Sequence, residues 1–316
     1  MNLVFTICSK NYLAQARVLC NSLQQYNAQT EFLIVIADKL TVQEKLSLFG
    51  YKYLLLDDMH LPETEALIEK YNVIELNTCL KPFIINYLFQ SNANLNKIIY
   101  LDPDIYVFAS LQSVFNDLDS YDFILTPHFI TPIFDDLLLS EKIVLNTGIF
   151  NLGFLALRRG NTIGNLLNWW SRKLMNECFY NLDKGYFVDQ LWMNLSICHF
   201  ENYKIDKNPG LNAAHWNLHE RLFSFTNGAW WVNNQFPLVF FHFSTYSPKQ
   251  TLQIAKWQNR YTFSSRPDIV PLFTLYAKRL EENQYDYYSA LTPAYGLPIK
   301  SSNKNLLSRI LSRLSK

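Results

Sequence analysis

From residue 3 to residue 108, short apolar runs alternate with stretches whose apolar residues recur at helical spacing. No other feature of the chain narrows the fold as much. Leu3 to Cys8 reads as a buried strand, after which Leu13, Ala16, Leu19, Cys20 and Leu23 share one helical face. Phe32 to Ala37 is a second strand, Val42 to Phe49 a helix, Tyr53 to Leu56 a strand and Glu63 to Lys70 a helix. Thr78 is placed to cap a further helix through Lys81, Phe83, Ile84, Tyr87 and Leu88, with Pro82 in the first turn, where proline is tolerated. This order predicts an α/β fold with a parallel, doubly wound sheet flanked by helices. In such sheets ligands sit beyond the carboxyl ends of the strands.

The polar residues at those strand ends are therefore the first candidates for a site. Lys97 to Phe108, KIIYLDPDIYVF, begins as a strand buried on both faces and then reverses polarity, with Asp102 and Asp104 flanking Pro103. Two carboxylates so close repel one another unless a cation lies between them, and such hard ligands suit Mg²⁺ or Mn²⁺ carrying a substrate's phosphates. A solvated Asp-Pro-Asp turn is the competing reading. Asp38 closes the second strand at the edge that also holds Thr6 and Asn11, suited either to a base or ribose or to capping a helix with Thr41. The turn Ser9-Lys10-Asn11 leaves helix N–H groups free for an anion or nucleotide, but has no G-x-G-x-x-G. Lys81 near a helix N-terminus hints at an anion, or is an exposed lysine.

The second half is less regular. After a strand at Phe123 to Pro127 comes a loop with a short helix, then Asn146 to Leu157, which holds two of only nine glycines, Gly148 and Gly153. Glycine in a strand pattern marks a bulge or close backbone approach, so Asn151 is either an amide aimed at a polar small molecule or a turn former. Thr162 to Phe179 is an amphipathic helix, and Asp189-Gln190 opens another, with capping as the plainer role for the carboxylate. The turn Asn208 to Asn212 precedes His215 and Trp216, which suit polar and aromatic contacts to a substrate. His215, His219 and Glu220 have zinc-like spacing without a third ligand cluster. A last β-run, Leu238 to Phe241, delivers His242.

Composition excludes several classes. With 316 residues, 49% of them hydrophobic, the chain can bury a large core, and a net charge of +1 gives no reason to expect a nucleic-acid partner. Five cysteines without a C-x-x-C pair fit a reducing, cytoplasmic compartment. The first ten residues lack the basic n-region of a signal peptide, and no apolar run reaches the ~20 residues of a membrane span. Residues 300–316 hold five basic residues and no acid, and from Asn303 the residues Leu306, Leu307, Ile310, Leu311 and Leu314 share one helical face. This basic amphipathic tail suits peripheral contact with an anionic membrane or docking and dimerisation on protein.

Taken together, Thr6 to Tyr12 (TICSKNY), Asp38, Lys81, Tyr100 to Asp104 (YLDPD), Phe150 to Gly153 (FNLG), Asp189-Gln190 and His242 resemble the nucleotide-sugar-dependent glycosyltransferases of the GT-A fold. The resemblance is nearest to glycosyltransferase family 8 and its bacterial relatives, and spans roughly residues 1 to 245. It implies a GT-A (Rossmann-like), mainly parallel sheet in a nucleotide-sugar transferase domain at 1–245; beyond the resemblance, 246–299 is expected to be a C-terminal helical extension and 300–316 the basic amphipathic tail helix. It further implies that Thr6, Cys8, Asn11 and Tyr12 lie along the nucleoside and that Asp38 meets the base or ribose. Asp102, Asp104 and His242 would ligate Mn²⁺ or Mg²⁺, while Lys81, Asn151, Asp189 and Gln190 surround the donor sugar. His215 and Trp216 stand where an acceptor would be chosen.

The implied activity is metal-dependent hexosyl transfer from a nucleoside diphosphate donor, UDP-linked in the family, to a glycan or lipid-linked acceptor, with retention at the anomeric carbon, as in bacterial polysaccharide biosynthesis. If Asp189 were instead a general base, the product would be inverted. The alternatives from the residues alone are a sugar nucleotidyltransferase and a noncatalytic nucleotide- or glycan-binding protein. One departure stands out: Thr245 occupies the family's glycine position after the histidine, and Lys249 arrives late, so the diphosphate is expected to be held differently there.

Overall fold

The computed structural model describes residues 1–250 and 252–298 and turns the expected alternation into one large sheet. Strands β1 (Asn2–Cys8), β2 (Glu31–Ile36), β3 (Tyr53–Leu55) and β4 (Lys97–Leu101) run parallel, with β4 beside β1, β1 beside β2 and β2 beside β3. Side chains alternate across a strand, so Phe5, Ile7, Ile98 and Tyr100 enter the core on one face while Val4, Cys8, Ile99 and Leu101 enter the core on the other. Both faces are covered by helices, which is why these strands carry little polar sequence. Helices Lys81–Ser91 and Asn161–Glu177 cover the first face, and Leu13–Tyr26 with Gln112–Asp117 the second.

After β4 the chain leaves the large sheet. Short strand β5 (Ile105–Val107) pairs elsewhere, and the chain returns through β6 (Phe123–Leu125) and β7 (Phe154–Arg158). Strand β7 lies between β6 and β4 and is antiparallel to both, so the sheet is mainly rather than wholly parallel. The reversal matters locally, because the segment entering β7 then lies at the carboxyl end of β4: the Asp102 N–H donates to the Gly153 carbonyl at 2.8 Å. A hairpin of β8 (Tyr180–Asn181) and β9 (Tyr186–Phe187) follows, then β10 (Tyr203–Ile205), parallel to β6. The large sheet thus reads β10-β6-β7-β4-β1-β2-β3.

Three more elements complete the frame. Strands β11 (Ala213–Ala214) and β15 (Phe240–His242) form a small sheet with β5, in which His242 stands opposite Ile105. Between them lies an antiparallel sheet of β12 (Phe223–Thr226), β13 (Ala229–Val232) and β14 (Phe236–Pro237). Helix Val270–Glu282 packs Leu272, Phe273, Tyr276 and Leu280 into a third apolar cluster with Phe241 and Phe243, where the Phe243 and Tyr276 rings stack at 4.0 Å. Among the described residues of 246–298 helical structure is confined to 267–289, and the last of them run back to the segment before helix Val73–Cys79, the Leu297 N–H donating to the Tyr71 carbonyl at 2.7 Å. The tail reading of 303–316 lies outside the described residues.

Two local expectations change. Thr78 does not cap the helix that follows it; it sits inside helix Val73–Cys79, its hydroxyl donating to the Ile74 and Glu75 carbonyls at 3.0 Å. The cap of that helix is Asn72, in a reciprocal box with Glu75. Thr41 and Glu44 form the same device at Val42–Leu46, which leaves Asp38 out of the capping.

Candidate active site

The turn after β4 and the end of β15 are brought together by backbone pairing. Since β5 pairs with β15, the Phe243 N–H donates to the Asp104 carbonyl at 2.9 Å, which fixes His242 beside the Asp102-Pro103-Asp104 turn. His242 Nε2 lies 3.0 Å from Asp104 Oδ1 and 3.7 Å from Asp102 Oδ2. Burial works against a charged imidazole there, but the two carboxylates outweigh it and raise its pKa. Among the described residues this is the group that brings three candidate metal ligands together, with ligand atoms all within 4.8 Å of one another. Gly153 makes the approach possible: a Cβ there would stand 2.4 Å from His242 Cε1 and 2.8 Å from Asn151 Oδ1. Close approach to the histidine, rather than to a ligand, explains this glycine.

Two cavities meet at the cluster. The larger, about 450 Å³, is bordered by Asp102 and His242 and also by Lys81, Asn151 and the neighbouring pair Asp189 and Gln190, which the fold brings to one cavity from three distant parts of the sequence. Lys81 is not an exposed lysine. It is 2% exposed, its Nζ 2.8 Å from Asp189 Oδ2 and 3.8 Å from Asp102 Oδ1, and it donates to the Leu152 carbonyl at 2.9 Å. Burial pushes its pKa down, yet Asp189 and Asp102 outweigh burial and hold the ammonium above the usual lysine range. The 2.8 Å approach is an ion pair by distance only, so Asp189 Oδ2 has no aligned hydrogen-bond donor among the described residues. Asp189 makes no capping bond to its helix Gln190–Met193.

Asn151 serves the framework as well as the cavity: its Oδ1 accepts from the Gly153 N–H and from Asn212 Nδ2, both at 3.1 Å. Gln190 Nε2 donates to the Thr147 carbonyl at 2.8 Å. His215 and Trp216 line the same cavity, buried, and His215 Nδ1 and Trp216 Nε1 have no hydrogen-bond partner among the described residues. The zinc-like spacing of His215 and His219 assembles no three-ligand group among the described residues. His219 Nε2 instead lies 3.3 Å from the Thr131 carbonyl.

The smaller cavity, about 160 Å³, is bordered by Asp104, Asn11 and Tyr12 and by Gln15, Tyr246, Tyr276 and Tyr285. Asn11 Oδ1, Gln15 Oε1 and the Tyr276 hydroxyl are buried and without a partner among the described residues. Unpaired buried polar atoms cost roughly 1–3 kcal/mol each, which a polar ligand would recover. Thr6, Cys8 and Asp38 border neither cavity. Thr6 and Cys8 are packed inside the sheet, where burial raises the thiol's pKa. The Asp38 carboxylate is taken by the N–H groups of Lys10 at 3.1 Å, Lys39 at 2.8 Å and Ala294 at 2.7 Å, so it ties the C-terminal segment to the first strand ends.

Several site residues had no sequence signal. His128 borders the larger cavity, with its Nδ1 3.3 Å from the Ile149 carbonyl, and burial pushes its imidazole down to about 4; His215 falls to about 3 for the same reason. Thr245 and Val188 adopt φ of 59° and 38°, a region that β-branched residues rarely enter, and each stands next to the site. Thr245 therefore takes the left-handed conformation that glycine adopts without cost. Lys249 borders neither cavity and pairs with Asp286 at 3.0 Å on the surface, whereas Trp257 lines the larger cavity with Lys256 over its ring.

Residues 3–194 match the model of the family described as glycosyl transferase family 8. The chain is 26% identical over 309 residues to uncharacterized protein YfnF of Bacillus subtilis (strain 168), an alignment covering 95% of this chain and 98% of that one. Its fold is similar to that of galactosyltransferase LgtC, solved in complex with donor and acceptor sugar analogs, with a TM-score of 0.51 at 15% identity over 92% of this chain and 98% of the other.

Proposed function

This chain belongs to glycosyl transferase family 8 and is a glycosyltransferase of the GT-A fold, and from that premise we propose that it moves a sugar from a nucleoside diphosphate donor, UDP-linked, to a hydroxyl acceptor with divalent-metal dependence and retention of configuration. The observation that carries the reading is the position of Asp102, Asp104 and His242 where two cavities meet. Asp104 borders the small polar one, Asp102 and His242 the large one. A nucleotide sugar has that shape: a nucleoside and a sugar on either side of paired phosphates.

Two carboxylates and an imidazole nitrogen fit Mn²⁺, and fit Mg²⁺ less well because of the nitrogen. When bound, such an ion offsets negative charge growing on the departing diphosphate. The nucleoside would meet Tyr12 and also Asn11, Gln15 and Tyr276, whose unpaired atoms suit ribose hydroxyls and base N–H groups. The donor sugar would lie against Asn151, Asp189 and Gln190, with His215 and Trp216 on the acceptor side. Lys81 keeps Asp189 engaged at 2.8 Å, so this carboxylate is poorly placed to take the acceptor's proton, which favours retention over inversion. Five free cysteines are consistent with a reducing, cytoplasmic setting; among the described residues no helix is long and apolar enough to cross a membrane.

The test is a thermal-shift panel of nucleoside diphosphates and nucleotide sugars with and without Mn²⁺. A ligand at a hundredfold excess over its Kd adds about 2.7 kcal/mol of stability. A shift with UDP that needs Mn²⁺ is expected; equal shifts with and without the ion contradict the proposal. NMR of the product's anomeric configuration separates retention from inversion.

A further inference from the structure

The larger cavity is bordered by one group whose chemistry the proposed function leaves unused, the His128 imidazole. The chain pairs antiparallel at Pro127 and Phe150, so the His128 N–H donates to the Ile149 carbonyl and the Asn151 N–H to the Thr126 carbonyl, each at 3.0 Å. The ring is held as firmly as the backbone. Its Nδ1 lies 3.3 Å from the same Ile149 carbonyl, and the Trp216 ring packs against it with centroids 5.3 Å apart. A carbonyl only accepts, so Nδ1 carries the ring proton. Burial pushes the imidazole down to about 4, which leaves it neutral near neutral pH, with Nε2 as a bare acceptor.

That nitrogen meets Asn151. His128 Nε2 is 3.4 Å from Asn151 Nδ2, while Oδ1 at the other end of the amide accepts from the Gly153 N–H and from Asn212 Nδ2, both at 3.1 Å. The Gly153 N–H is a backbone donor and cannot reverse its role, so it settles which end of the amide is oxygen. Asn212 is itself pinned, donating to Thr126 Oγ1 at 2.9 Å. Both lone pairs of Asn151 Oδ1 are therefore taken, and one Nδ2 hydrogen goes to His128. The second has no partner among the described residues, and it is what Asn151 offers a ligand in the cavity that it borders.

We propose that His128 is a positioning residue that acts through Asn151: its Nε2 holds the amide so that the second Nδ2 hydrogen is presented to the donor sugar, which meets it with an oxygen lone pair rather than with a hydroxyl proton. This rests on the glycosyltransferase reading of the same cavity and adds the group that orients Asn151 and the polarity Asn151 shows the sugar. An amide held at both ends is in place before the substrate arrives, so no binding energy goes into turning it. Without the imidazole, the nitrogen end loses its protein partner and the amide is held from the oxygen end alone.

The first test needs no ligand: proton–nitrogen correlation spectra of the imidazole rings of the full chain near neutral pH, with His128 assigned by the loss of its signals in His128→Gln. A neutral ring protonated at Nδ1 is expected, and protonation at Nε2 overturns the proposal. The second is the release of UDP from UDP-glucose and from UDP-galactose in Mn²⁺ with water as acceptor, read on the faster of the two. His128→Phe keeps a ring without the acceptor and should lower kcat at least about tenfold, whereas His128→Gln, whose side-chain oxygen accepts in place of Nε2, should keep most of it. In the slow variant Asn151→Ala, adding His128→Phe should cost no more than about twofold further. Additive losses in that background, or an unaltered rate in His128→Phe, overturn the proposal, because a histidine that only fills the core acts independently of the amide. The UDP-induced thermal shift in Mn²⁺ should survive in His128→Phe; its loss would mean a role beyond the amide and overturns the proposal as well. No release from either donor by the unmodified protein would count against the transferase reading instead, and the ring spectrum still decides the role of His128.

Discussion

The two cavities that meet at Asp102, Asp104 and His242 ask different things of a ligand. The smaller presents buried polar atoms without partners, on Asn11, Gln15 and Tyr276, while the larger combines a charged floor with aliphatic side chains such as Ile74, Leu139 and Ile143. A wall of unpaired polar atoms rejects a ligand that cannot pair with them far more strongly than an apolar wall rejects a neighbour in a series. The difference teaches that one cluster can face a wall that selects by hydrogen bonding and another whose apolar part selects only weakly. The ligand residues Asp102, Asp104 and His242 stand between the cavities, so a fault there disturbs both.

The largest way to break the comparison is at the buried ion pair beneath the larger floor. Lys81→Met leaves the Asp189 carboxylate buried without its cation, and a loss of about 3–5 kcal/mol in urea unfolding is expected. Lys81→Met with Asp189→Leu should regain most of it. Failure of the single variant to lose stability would mean that the pair is not what holds that floor.

At the junction itself, Asp104→Asn should cost about 10²–10³-fold in transfer rate and remove the Mn²⁺-dependent part of UDP binding, leaving the unfolding midpoint nearly unchanged. Steady-state rates and calorimetry on the same preparation check this. A variant of unaltered rate would detach the cluster from catalysis.

Acid sharpens the contrast from another side. His128 is buried neutral, its pKa about 4 in the folded state against 6.5 in the unfolded chain, so between those values the unfolded chain binds more protons. The stability it contributes is present above pH 6.5 and is lost as pH falls towards 4, by up to about 3 kcal/mol. Urea midpoints at pH 7 and pH 5 should fall together with pH, and His128→Gln should flatten that slope. A slope unchanged by the substitution removes this histidine from the account.

Smaller still is Gly153→Ala, whose methyl group meets the His242 ring; about 1–3 kcal/mol and a weakened response to Mn²⁺ are expected. Least of all, Tyr276→Phe removes one hydroxyl from the smaller cavity and should weaken UDP about fivefold, or about 1 kcal/mol, by calorimetry. Unchanged UDP binding would mean that the smaller cavity does not hold the nucleoside.

Much of this arrangement could be read from the chain. Strands β1 to β4 announce themselves because both faces are covered, and Asp102 and Asp104 because they end such a strand abruptly. Of the residues carried by the family resemblance, Lys81, Asn151, Asp189 and Gln190 border one cavity and Asn11 and Tyr12 the other, whereas Thr6, Cys8 and Asp38 border neither. The direction of β7 could not be read, since a short strand buried on both sides has the same pattern in either sense. Helix Val73–Cys79 was missed because Thr78 looks like a cap wherever a proline follows closely, although Asn72 and Glu75 carried the better signal. Gln15 and Tyr276 carry no signal in the sequence, and only the meeting of helices Leu13–Tyr26 and Val270–Glu282 turns them into one wall. Family membership, finally, sets aside the nucleotidyltransferase and noncatalytic readings that the residues alone had left standing.

The central claim is that the aspartates at 102 and 104 and the histidine at 242 hold an ion that grips paired phosphates, and the Kd of UDP measured by calorimetry with Mn²⁺ and with EDTA tests it most directly. The account predicts binding at least about 100-fold tighter with the ion, roughly 2.7 kcal/mol, and no such difference in Asp104→Asn. The same Kd in Mn²⁺ and in EDTA would contradict it.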